Sequence, residues 1–230
     1  MCGRKTLINS KESIINELMI DEWSIKNYNP SYNIAPTQYS PILIKNNGKR
    51  IAKLMKWGLV PSWSKSDSFA SKMINARIES IKEKSSYKNL IFQNRCIIIS
   101  NGYYEWRKKG EHKEPYYFYH KNNLLLFAGL WTSWKRLSKI INTYTIITTT
   151  AFSEIKHIHN RMPLIIDSIN IDKWLVENEN PFNIDCYLNN HQNRKNIEYL
   201  QVSSFVNSTK NNSKKCITPT KKVLNMELFK

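Results

Sequence analysis

The sequence lacks the features that would commit it to a membrane, a disulfide scaffold or a metal. No apolar run approaches the ~20 residues needed to cross a bilayer. The opening MCGRKTLINSKESIINELMIDEW has neither an uninterrupted apolar core nor the small-residue cleavage site of a secretory signal, so an intracellular chain is expected. There are four cysteines in 230 residues, Cys2, Cys96, Cys186 and Cys216, with no Cys-x-x-Cys pair among them. They stand too far apart to read as a disulfide framework or a zinc site, and no H-E-x-x-H motif is present. No metal and no cofactor are therefore expected. Acidic residues are also scarce, 18 against 35 lysines and arginines, for a formal charge of +17. Such an excess either attracts a polyanion, with binding that falls steeply with salt, or reflects a lysine-rich soluble surface. Internal repeats and interdomain linkers are absent as well.

What is there suffices for one core. Hydrophobic residues make up 41% of the chain and aromatics run from Trp23 to Tyr199. SKESIINELMIDE, residues 10–22, has Ser10 as a cap and Ile14, Ile15, Leu18 and Met19 at helical spacing. NYNPSYNIAPTQYSP follows as an extended, turn-rich wall punctuated by Pro30, Pro36 and Pro41. PILIK, KRIAKLMKWGLVP, RCIIIS, PYYFYH, LLLFAGLW and NTYTIITTTA read as short β-branched or aromatic strands. IHNRMPLIID holds another strand after a bend, SINIDKWLVEN a short helix, and YLQVSSFVN a late strand. The expected class is α+β: a single strand-rich mixed domain over residues 2–210, with a curled sheet or pseudo-barrel core and a few peripheral helices. Residues 211–230 read as a polar, basic tail ending in the apolar VLNMELF, which either docks or frays.

Four polar islands interrupt the apolar sequence: MCGR, SKMINARIES, NGYYEWRKKG and HIHNRMP. Removal of Met1 would leave Cys2 with an α-amine and a thiol on adjacent carbons, a 1,2-aminothiol. The other islands offer an amide at Asn75, a carboxyl group at Glu105, an imidazole at His159 and guanidinium groups at Arg4, Arg77 and Arg161. Each has a plain structural alternative. Glu105 reads equally as a surface carboxylate paired with Arg107, although flanking Tyr104 and Trp106 allow a desolvated carboxyl with a raised pKa. His157 and His159 share one side if the backbone there is extended. Arg77 and Glu79 alternate as a salt-bridged pair would, and Asn75 suits either a turn or a substrate contact. Gly58 allows close backbone approach. Trp57 and Cys96 are expected in the core, whereas Trp63 fits core or a base-stacking platform.

Taken in order, MCGR, YNIAPTQ, KWGLVPSW, NARIES, RCIIISNGYYEW, FAGLW, TYTIITTTA and IHNRMP closely resemble the SOS response-associated peptidase family, from Cys2 to about Asn207. The resemblance implies that Met1 is removed, that Cys2 is the reactive terminus, and that Asn75, Glu105 and His159 are catalytic. It also implies that Arg4, Arg77 and Arg161 contact DNA. Two departures stand out: Asn160 sits where an acidic residue is common, and SNGYYEW replaces the usual Pro-Ala-Asp-Gly-Phe wording. The first bears on how His159 is held and the second on local packing.

Members of that family react with the aldehyde of an open-chain abasic nucleotide. The Cys2 amine would form an imine and the thiol would close a thiazolidine of nitrogen, Cα, Cβ, sulfur and sugar C1′. Glu105 and His159 would move protons, Asn75 would hold the sugar, the arginines would clamp phosphates, and Trp63 would support a base. The implied partner is single-stranded DNA with an abasic site, free or at a single-strand/double-strand junction, and the chain is expected to act as a monomer. The implied location is cytoplasmic, nucleoid-associated in a bacterium. Competing readings are a cysteine-dependent autoprocessing peptidase, an abasic-site lyase, and a non-covalent basic nucleic-acid-binding module.

Overall fold

The computed structural model describes residues 2–176 and 197–220; Cys186 and residues 221–230 of the expected tail lie outside them. In chain order the regular elements are β1 (Lys5–Leu7), α1 (Lys11–Leu18), β2 (Glu22–Trp23), β3 (Ser31–Ile34), β4 (Tyr39–Asn46), β5 (Lys49–Trp57) and β6 (Asn75–Arg77). Then come α2 (Leu90–Gln93), β7 (Arg95–Ser100), β8 (Gly102–Lys109), β9 (His112–His120), β10 (Leu125–Arg136), β11 (Lys139–Thr150), β12 (Arg161–Pro163), α3 (Ile171–Trp174) and β13 (Ile197–Gln201). The strand-rich α+β expectation holds, with helices short and peripheral. Helix α1 starts where the sequence placed it, with Ser10 Oγ accepting the N–H of Ser13 at 3.2 Å. It stops at Leu18 because Met19 takes a left-handed conformation, φ 48, which turns the chain into β2.

The curled core is a closed ring. Strands β11, β10, β7, β4 and β5 pair in that order, and a parallel contact of Thr143 with Lys56 and Tyr144 with Trp57 joins β11 back to β5. Closure leaves these five strands without a free edge. Their inward residues, among them Ile42, Met55, Trp57, Ile98, Phe127 and Ile146, are buried. A second, open sheet runs β13, β9, β8, β1, β3. Its strands alternate: Tyr103 of β8 joins the main core, while Tyr104 joins a separate cluster with Tyr117, Val202, Val206 and Cys216 on the outer face. Residues 202–217 cover that face. Asn33 Nδ2 donates to the carbonyls of Val206, Ser208 and Asn211, and Pro219 bridges Val202. Cys2, Cys96 and Cys216 are buried free thiols. Among the described residues no helix is long and apolar enough to cross a membrane.

Between the ring and β6, residues 58–74 leave the sheet and return. Gly58 makes the departure possible: it adopts φ +114, and a Cβ there would lie 2.2 Å from the Ala70 carbonyl oxygen. Trp57, fully buried, donates from Nε1 to the Ile74 carbonyl at 3.0 Å and so fixes the return point next to Asn75. Backbone strain and overpacking coincide at position 58. Gly58→Ala is expected to cost about 2–4 kcal/mol, read as a lower urea midpoint with unchanged m-value.

Candidate active site

Strand β11 is longer than the ring needs, and its second half collects two of the polar islands. On one side it pairs in parallel with β6, setting Asn75 against Ile146 and Arg77 against Thr148. On the other it pairs antiparallel with β12, setting Arg161 against Thr150. Residues 153–158 form turns, so the backbone that would have put His157 and His159 on one side is not extended. His157 packs edge-on against Tyr199, ring centroids 5.9 Å apart. His159 turns instead to Arg161, whose backbone N–H points at Nδ1 from 3.0 Å. The Arg161 carbonyl oxygen lies equally close, 3.0 Å from the same Nδ1, so the Arg161 backbone can both donate to and accept from this nitrogen and fixes the ring in either neutral tautomer. Asn160 is exposed, and His159 is held by the Arg161 backbone.

Glu105 comes from the other sheet. β8 lies between β9 and β1, so it is not an edge strand, and Glu105 alternates with Tyr104 onto the face of the main core. It is 3% exposed. Arg107 does not pair with it; Arg107 Nη2 donates to Glu114 at 2.6 Å. Burial in this apolar setting pushes the Glu105 carboxyl up to about 7, so both protonation states are populated near neutrality. Its Oε1 lies 3.8 Å from His159 Nδ1. Burial also lowers the His159 pKa, which keeps that ring neutral at pH 7.

Cys2 completes the group. It is fully buried ahead of β1, and Asn75 Nδ2 donates to its carbonyl oxygen at 2.8 Å. Asn75 Oδ1 is buried and accepts no hydrogen bond from the described residues, an acceptor left unused. Burial, and then the charge of Glu105, push the Cys2 thiol far up, although the backbone N–H of Arg4 favours the thiolate. Cys2, Asn75, Glu105 and His159, distant in sequence, are thus joined by direct contacts or by mutual electrostatic range.

The arginines differ. The Arg77 side chain is exposed, with no hydrogen bond to a described residue, and its charge is felt at Glu79. Arg161 donates to both carboxylate oxygens of Glu79, at 2.5 and 2.9 Å, and to the Thr148 carbonyl at 2.6 Å. Glu79 therefore pairs with Arg161, not with Arg77 as the local alternation suggested. Arg4 spends its guanidinium inside, on Asn33 Oδ1 at 2.7 Å and the Val206 carbonyl at 2.8 Å, stapling the N-terminal strand to the C-terminal segment. Trp63 is 63% exposed on the 58–74 excursion. Sequence reasoning passed over Lys5, which is fully buried beside Cys2; lysine is so rarely buried that only its inward register on β1 betrays it. Among the described residues no cluster of three or more His, Cys, Asp or Glu side chains could hold a metal.

The comparisons with known proteins agree in extent. The chain is 37% identical over 222 residues to the Bacillus subtilis abasic site processing protein YoqW, covering 94% of this chain and 99% of that one. It is 34% identical to the chicken (Gallus gallus) abasic site processing protein HMCES, across 84% of this chain and 67% of the relative. A crystal structure of a protein from Bacteroides thetaiotaomicron superposes with a TM-score of 0.72 at 26% identity, covering 92% and 91% of the two chains. The family model for SOS response associated peptidases matches residues 1–209, and the chain belongs to that family, SRAP.

Proposed function

We propose that this chain processes abasic sites in DNA by capturing the lesion covalently. The observation that carries the reading is the buried Glu105 carboxyl, poised near neutrality and set beside both His159 and Cys2. Two relatives bearing the name abasic site processing protein support it. With Met1 removed, the Cys2 α-amine adds to the sugar aldehyde and the carbinolamine loses water to give an imine. The thiol then adds to the same carbon, the C=N electron pair moves to nitrogen, and the five-membered ring closes. Reversal requires two bonds to break, which makes the adduct a shield for the damaged strand.

Glu105 is suited to the proton traffic of the first half. In its neutral form it donates to the sugar ring oxygen on opening and to the leaving hydroxyl; in its charged form it takes protons from the attacking amine. His159, kept neutral by burial, is a second proton-transfer group. Asn75 Nδ2 fixes the Cys2 backbone, and its Oδ1 is placed to accept from a sugar hydroxyl. Arg77 is the readiest phosphate contact, and Arg161 reaches a second phosphate by exchanging Glu79 for it. Single-stranded DNA fits because an unpaired lesion need not be extruded from a duplex. Exposed Trp63 offers a stacking surface for a neighbouring base.

Strand cleavage from the imine and peptide hydrolysis are the rival chemistries, and one experiment separates them. The processed protein is incubated with abasic or intact single strands, denatured, and mapped by mass spectrometry. An adduct confined to abasic DNA, on the Cys2 peptide, is expected. An adduct on an internal side chain overturns the reading, as does cleavage with no denaturation-resistant product. In Cys2→Ala, borohydride should still trap an imine while the stable product is lost.

Glu105→Gln should slow imine formation at least tenfold and remove an inflection near pH 7 from its rate profile. The sign follows from the raised carboxyl: below 7 it is mainly an acid, above 7 mainly a base. Arg77→Ala should weaken abasic and intact strands alike and reduce the salt slope of binding by about one, measured by fluorescence anisotropy.

A further inference from the structure

Lys5 is the one lysine among the described residues with no exposed surface at all. In β1 it stands opposite Tyr103 of β8, so its side chain enters the main core on the face that carries Tyr103 and Glu105. Nζ donates to Ser40 Oγ at 2.7 Å and to the Ile99 carbonyl at 3.0 Å. Among the described residues no carboxylate pairs with it and no third acceptor is offered. A protonated amine has three N–H groups and would leave one unmet; a neutral amine has two, both satisfied here, and a lone pair left over. Isolated positive charge is costly to bury, and desolvation lowers Lys5 to about 7. The titratable groups around it are Cys2, whose thiol and the Lys5 amine each feel the other's charge, and the buried hydroxyls of Tyr103 and Tyr144 and carboxyl of Glu105, each electrostatically linked to Cys2.

We propose that Lys5 is the proton acceptor for the Cys2 thiol in the second, ring-closing half of the reaction. The inference rests on the covalent-capture reading and assigns the step that Glu105 and His159 leave open. As the Sγ–C1′ bond forms, the thiol proton passes to the lone pair of Nζ. The C=N electron pair settles on the former imine nitrogen, and the positive charge of the iminium reappears on the Lys5 ammonium. Atoms and charge balance, and no free thiolate accumulates in a pocket that disfavours one. Ser40 and the Ile99 carbonyl occupy both N–H groups of the neutral amine, which leaves the lone pair as its one unused site.

The test compares wild type with Lys5→Met, Lys5→Arg and Ser40→Ala in Met1-processed protein. Methionine matches the volume without charge, and replacing a buried ion by an apolar residue commonly leaves stability unchanged or raised. Borohydride-trapped imine should form at the wild-type rate in Lys5→Met, while the denaturation-resistant ring product forms at least tenfold more slowly. Wild-type ring closure should rise through pH 7 as Nζ loses its proton, and this inflection should be absent in Lys5→Met. Arginine, unable to give up a proton, should not restore it. Ring closure with an unchanged rate and pH profile in Lys5→Met overturns the assignment, as does a trapped adduct on Lys5 itself.

If Lys5→Met fails to fold by circular dichroism, Ser40→Ala takes its place, with a shifted ring-closure profile expected and an unshifted one overturning. The pH profile of Cys2 labelling by methyl methanethiosulfonate, without DNA, judges Lys5 independently. Absence of any abasic-specific adduct in wild type sinks covalent capture, whereas an identical labelling profile in wild type and Lys5→Met sinks the role of Lys5.

Discussion

The parallel contact between β11 and β5 is the constraint on which the rest depends. It closes the ring, and because β11 continues past the closure its second half has both sides open for new partners. β6 takes one and β12 the other. Asn75 and Arg77 arrive on the first, Arg161 on the second, and His159 on the turn leading into it. A sheet with a free edge at this position would leave these segments without a shared register, since neither three-residue strand could stand alone.

The open sheet supplies the remaining groups and sets their electrostatics. Strand alternation sends Lys5, Tyr103 and Glu105 toward the ring and Tyr104 and Trp106 away from it. A carboxyl and an amine thus enter a core otherwise built of aliphatic and aromatic side chains, each losing most of its hydration. Both are pushed toward neutrality, the carboxyl upward and the amine downward, to about 7 in each case. The cost is borne by a closed ring and a well-covered outer face, where Arg4 and Asn33 clamp the C-terminal segment. Arg4, which the family resemblance assigns to DNA, ties the N-terminal strand to the C-terminal segment.

Charge is arranged in the same graded way. Arg4 is tied inside, Arg161 is held by Glu79 at the boundary, and Arg77 stands in solvent. Polyanion binding to such a set would begin at the exposed guanidinium, with Arg161 released from Glu79 only when a phosphate is positioned to replace the carboxylate.

By itself the sequence determined the strands, whose β-branched and aromatic runs match β4, β5, β7, β9, β10 and β11, the cap that starts α1, and the burial of Trp57 and Cys96. It also offered Cys2, Asn75, Glu105 and His159 among polar islands in apolar surroundings, and the resemblance to the SOS response-associated peptidase family, not the local pattern, selected these four as catalytic. Only the tertiary structure decided how those groups meet. The turn that separates His157 from His159, the exchange of Glu79 from Arg77 to Arg161, the inward face of Glu105 and the burial of Lys5 all depend on strand pairing between segments far apart in the chain. Local pattern carries periodicity, which follows from backbone geometry. It carries nothing of register between distant strands, and at this site register determines which charges lose their water.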